Sequence, residues 1–125
     1  MRDLNRKRDE HIEEQAGLVS DIAKYEALYQ TYKISVDSAE EQLRDKQIWI
    51  KSYTGYSFEE LLANQELDWW FDPEVEKSVA AIARLRSVIR AHTILRDSSK
   101  TNLDNARARE EELLELLNGE DGIFK

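Results

Sequence analysis

From residue 18 the apolar positions fall at Leu18, Ile22, Tyr25, Tyr29, Tyr32, Val36, Ala39, Leu43, Ile50 and Tyr53, with Lys46 in the one polar slot. Steps of four and three alternate throughout, the heptad pattern of a long helix with one buried seam. A second seam runs Val75, Ser78, Ile82, Leu85, Ile89, His92, Arg96, Ser99, Leu103, Ala106, Glu110, Leu113, Leu117, apolar at both ends and mixed in its middle. The spacing predicts two long helices. Gly17, Gly55, Pro73 and Gly119 bound them, leaving 18–54 and 74–118 without a glycine or proline.

The punctuation between them is specific. Ser52-Tyr53-Thr54-Gly55 ends the first helix, with Gly55 able to take the left-handed conformation of a helix C-terminus. Ser57 and Glu60 have capping-box spacing and open a short helix with Phe58, Leu61 and Leu62 on its apolar face. Asp72-Pro73-Glu74 supplies an N-cap acid, a proline at the first helical position and a first-turn carboxylate, so the second long helix starts there. Between them Trp69-Trp70-Phe71 puts three aromatics in a row, which neither helical nor strand periodicity can hide at once; some must pack on another element or subunit.

The expected fold is therefore all-α: two long helices folded as a hairpin with a short intervening helix. The expected boundaries are a polar lead at 1–17, read as a frayed or exposed helical segment, a helical hairpin oligomerisation domain at 18–119, and a tail at 120–125 after the stop at Asn118-Gly119. Two helices bury little by themselves, so the seam residues Leu18, Ile22, Tyr25, Tyr29, Tyr32, Val36, Leu43, Ile50, Ile82, Leu85 and Ile89 are expected to assemble a homo-oligomeric bundle or coiled coil.

Composition fits long amphipathic helices, with 35% charged and 41% hydrophobic residues in 125. There is no cysteine, which excludes disulfides and thiolate metal sites and suits a reducing compartment. No window approaches eighteen apolar residues, and the N-terminus lacks the apolar run of a signal peptide, so the expectation is a cytoplasmic protein without a membrane span. His11 and His92 are the only histidines, and neither lies in a Glu-x-x-His or His-x-x-x-His pattern; no glycine-rich phosphate loop is present. The expectation is a non-catalytic protein with no metal and no cofactor. Glu110, Glu111, Glu112 and Glu115 point in different directions around a helix and are read as a solvated face.

Charge changes this picture. The chain carries a net charge of -8, yet residues 77–109 hold eight Lys or Arg against two acids, while residues 56–76 hold seven acids and no base. On a helical projection Arg86, Arg90, Arg96, Lys100 and Arg107 share one flank beside the second seam. Arg86/Arg90 and Arg96/Lys100 are neighbours one turn apart, so their repulsion calls for an anion. Two anions fit. One is a carboxylate of the first helix, such as Glu26, Asp37, Glu40 or Glu41; the other is the phosphate of single-stranded nucleic acid, held by Arg86, Arg90, Arg96 and Lys100 with Lys46 and Lys51. Trp49 and Tyr56, off the seam, are the candidates for base stacking.

Taken in order, Ile50-Lys51-Ser52-Tyr53-Thr54-Gly55, Glu59-Glu60-Leu61, Asp68-Trp69-Trp70-Phe71-Asp72-Pro73-Glu74, Asn105-Ala106 and Leu117-Asn118-Gly119-Glu120 resemble the landmarks of the UvsY-type phage recombination mediators. The likeness spans roughly residues 25–119. It implies a small helical homo-oligomer that binds single-stranded DNA and helps load a RecA-like recombinase, with that recombinase or a single-strand-binding protein as partner. Two other readings stand beside it: a helical assembly or adaptor protein without nucleic-acid binding, and an acidic inhibitor that occupies a nucleic-acid site on another protein.

Overall fold

A computed structural model describes residues 2–124, with side chains described for residues 2–119. Helix α1 spans Arg2–Thr54, α2 Phe58–Ala63 and α3 Pro73–Phe124, with a single 3-10 turn, Asp68–Phe71, between α2 and α3. There is no strand among the described residues. The all-α expectation, with two long helices and a short one between them, is met.

Both long helices exceed their expected limits. Helix α1 passes through Gly17 without a break and begins at Arg2, and α3 passes through Asn118-Gly119 to Phe124. A glycine within a long run of good helix formers costs only about 1 kcal/mol, which flanking hydrogen bonds offset. Asn118-Gly119 is therefore not a stop here. The side chains of the expected tail, 120–125, lie outside the described residues.

The chain forms two compact units, Met1–Thr31 with Leu95–Lys125, and Tyr32–Ile94. In each, α1 and α3 pair antiparallel. In the first, Glu14 meets Arg109 and Tyr29 meets Lys100; in the second, Ser35 meets His92 and Tyr53 meets Asp72. The heptad reading identified the inward faces: every α1 seam position from Leu18 to Ile50 and every α3 seam position from Val75 to Leu117 is buried or half-buried within the single chain. Seams expected to join subunits thus have a partner already. Lys46, the polar slot, is half-buried, a position that a long alkyl stem with a terminal charge tolerates.

The main cluster lies in the unit Tyr32–Ile94, where Ile50, Phe58, Leu61, Val75 and Ile82 are buried together and Leu43, Leu67, Trp69, Trp70 and Val79 pack against them. Local chemistry builds this corner. Gly55 takes φ 79°, and its N–H donates to the Lys51 carbonyl at 2.9 Å, closing α1 with a left-handed cap. Ser57 Oγ accepts from the Glu60 N–H at 3.1 Å while the Glu60 carboxylate accepts from the Ser57 N–H, the capping box the sequence announced. Asp72 Oδ1 accepts from the N–H groups of Glu74 and Val75 at 2.8 and 3.4 Å, as Pro73 enters α3 at the position where no donor is needed.

Truncating Ile82 or Ile50, both fully buried, to alanine should cost about 3 kcal/mol in urea unfolding. The exposed Ile48→Ala should change stability by less than about 0.5 kcal/mol. Gly17→Ala, with open space around the added methyl, should stabilise α1 by about 0.5–1 kcal/mol, whereas Gly55→Ala should destabilise because of its positive φ.

Candidate interaction surface

The cationic flank was the first candidate. Its six nominated bases meet different fates. Arg86 in α3 bonds Glu59 of α2 and lies 4.5 Å from the Phe58 ring centroid, pinning α2 onto α3. Arg96 donates to its neighbour Asp97 at 3.1 Å, and Lys100 donates to Asp104 at 3.0 Å while standing 6.0 Å from the Tyr29 ring centroid. Lys51 bridges to Glu60 at 3.6 Å and donates to the Gly55 carbonyl at 3.1 Å. Arg90 and Lys46 form no ion pair among the described residues.

Further along, Arg107 approaches Glu26 at 3.7 Å, and Arg109 makes a two-pronged contact with Glu14 at 2.8 and 3.2 Å plus a bridge to Glu112 at 3.0 Å. Of the four first-helix carboxylates expected as counter-ions, Glu26 alone serves among the described contacts; Asp37, Glu40 and Glu41 do not. The partners that replace them are Glu59, across the turn, and two acids of α3 itself. Helical spacing explains Lys100 with Asp104, four residues on. The Arg86–Glu59 contact depends on where α2 docks, which no periodicity encodes. Arg84, like Arg90, is exposed and forms no ion pair among the described residues.

These contacts move the carboxylates. The Arg109 guanidinium holds Glu14 below the usual glutamate range, and Arg86 does the same for Glu59. Glu60 is lowered by the backbone and hydroxyl of Ser57, then by Lys51. Asp72 is lowered first by the Tyr53 hydroxyl, which donates to Oδ2 at 2.8 Å, and the same bond raises the Tyr53 phenol.

A different surface forms where the Tyr32–Ile94 unit turns. The rings of Trp49 and Tyr53 stack at 4.7 Å and 20°, and Tyr53 meets Trp69 at 5.4 Å and 57°. Trp49 is 38% and Tyr53 46% exposed, and Phe71 reaches 85%. Beside Trp49 opens a cleft of about 410 Å³ lined by Asp45, Lys46, Trp49, Glu74 and Ser78. Of the three consecutive aromatics, Trp69 and Trp70 are half-buried on the main cluster, Trp70 donating from Nε1 to the Asn64 carbonyl at 3.0 Å, so Phe71 alone is left in solvent. Of the two residues proposed for base stacking, Trp49 is already stacked on one face by Tyr53, and Tyr56 is 37% exposed on the turn.

No group of three or more His, Cys, Asp or Glu side chains is placed to hold a metal ion among the described residues, and no described helix is long and apolar enough to cross a membrane. Comparison with family models, curated proteins and solved structures finds no match.

Because folding lowers the pKa of Glu14, Glu59, Glu60 and Asp72, their contribution to stability is present above the ordinary values of 4.5 and 3.8 and lost as pH falls through the lower folded ones. Thermal melts should therefore decline modestly below about pH 4.5, more shallowly for Arg109→Ala than for wild type. Tyr53→Phe should raise the Asp72 pKa in an NMR titration; an unmoved Asp72 would contradict the assigned cause.

Proposed function

We propose that this protein is a non-catalytic helical adaptor that acts by binding other proteins, including copies of itself, rather than nucleic acid. The observation that carries the proposal is the fate of the cationic flank: Arg86, Arg96, Lys100 and Lys51 each have a carboxylate of the same chain at hand. A phosphate would have to displace those carboxylates, forfeiting an existing ion pair for each one gained. The exposed aromatics Trp49, Tyr53 and Phe71 support the protein-binding half of the proposal, since aromatic side chains are enriched at protein interfaces and contiguous exposed apolar area is uncommon without a use. Self-association would draw on outer faces, because the two seams are occupied within the chain.

Single-stranded DNA binding of the recombination-mediator type has one observation in its favour. Arg84, Arg90 and Lys46 carry no carboxylate partner among the described residues, and the two arginines are exposed, as counter-ion release requires. Three charges make a short electrostatic footprint in a chain of net charge -8.

Fluorescence anisotropy with an oligo-dT probe over a salt series separates the two. The adaptor reading expects no appreciable binding near physiological salt and no change in an Arg84→Ala/Arg90→Ala double variant. Affinity that falls steeply with salt in wild type, with a shallower slope in the double variant, would replace it with the DNA-binding one.

A further inference from the structure

We propose that the cleft beside Trp49 receives an arginine side chain from a basic segment of a protein partner, with Trp49, backed by Tyr53, as its aromatic wall. The proposal rests on the adaptor reading and specifies its partner. The cleft is lined by the two kinds of group that recognise a guanidinium: the Trp49 indole, 38% exposed, and the carboxylates of Asp45 on α1 and Glu74 on α3. Its volume suits one long side chain and leaves the rest of a partner segment to lie on the neighbouring aromatics.

Charge selects the occupant. Three carboxylates, Asp45, Glu74 and Asp72, outnumber the two ammonium groups, Lys46 and Lys77, around the stack and the cleft. Glu74 already has a neighbour in Lys77, but at 3.8 Å with both side chains largely in solvent, a pairing easily exchanged. Asp45 forms no ion pair among the described residues. Asp72 and Glu74 belong to the stretch 56–76, which holds seven acids and no base. A nucleic-acid strand brought to Trp49 would set its phosphates against this field; a basic segment is drawn in by it. Tyr53 is held in place by its hydrogen bond to Asp72, so the aromatic wall is ordered before any partner arrives.

The side chains needed for this recognition come from two places in the sequence, one on α1 and one on α3. Trp49 and Asp45 are a helical turn apart on α1, Glu74 and Ser78 a turn apart on α3, and Tyr53 is fixed by the N-cap of α3. No linear motif would show them as one group.

The test is an NMR titration of the full chain that follows the Trp49 indole N–H. The probes are a Leu/Arg amphipathic peptide, the same peptide with Glu for every Arg, and oligo-dT. The expected result is a saturable shift of Trp49 with the arginine peptide alone, with affinity weakened about fivefold by Asp45→Asn, which also flattens the salt dependence, and by Trp49→Ala, where binding is read from the backbone amides of Asp45, Lys46 and Ser78. Asp45 is exposed on a helix surface, so Asp45→Asn keeps the test decisive should Trp49→Ala fold poorly. Binding of the arginine peptide that leaves Trp49 unmoved, or that both variants retain, would overturn the cleft while leaving the adaptor reading intact. A Trp49 shift that appears on concentrating the protein alone would assign the surface to a second copy and overturn it too, and a shift caused by oligo-dT would overturn both.

Discussion

Everything in this molecule depends on two apolar seams that have to meet across a turn of seventeen residues, 56–72. Neither long helix could hold its shape by propensity alone, because each carries one narrow apolar stripe in a highly charged surface and gains its stability by burying it. The turn decides how the stripes meet. Gly55 ends α1 in the left-handed region, α2 covers the opening with Phe58 and Leu61, and Asp72 restarts the chain as α3. Asp72 has a double duty, since one oxygen caps α3 and the other holds Tyr53 of α1. The corner is thus tied together by polar bonds at its rim and by the Ile50–Leu61–Ile82 cluster beneath.

Once the helices are paired, the block arrangement of charge has a structural use. The acids of the turn and the bases that follow it sit on segments that fold onto each other, and the Arg86–Glu59 contact over Phe58 joins them. In the unit containing both chain ends, Arg109 and Arg107 reach Glu14 and Glu26 across the helix pair. Such exposed pairs add little stability each. Their larger effect is on alignment, because a one-heptad slip of α1 toward its C-terminus would set Arg109 against Lys7. The Ser35–His92 hydrogen bond of 2.6 Å does the same for the mixed stretch of the second seam, where the slip would face the imidazole with Leu28.

Much of this was legible in the residues because it is local. Step sizes of three and four gave both inward faces, down to the half-buried Lys46, and the capping signals at Ser57 and Asp72 operate within three residues of themselves. What could not be read was set by distance. Nothing near Arg86 says that its carboxylate lies on a short helix 27 residues away, and nothing near Trp49 says that Glu74 will flank it. The extent of the helices has another origin: Gly17 and Gly119 read as breaks, yet each sits in open space within an otherwise strong helical sequence, where one glycine is too small a penalty to stop propagation.

The positions of the tryptophans have a practical consequence. Trp49, Trp69 and Trp70 all belong to the unit that contains the turn, and none to the unit formed by 1–31 and 95–125. Selectively excited indole emission is therefore a local reporter. It registers the opening of the corner and is blind to fraying at the chain ends, which circular dichroism sees in full. Should the two signals change at different temperatures, the gap between them would measure how far the two units melt as separate cooperative bodies.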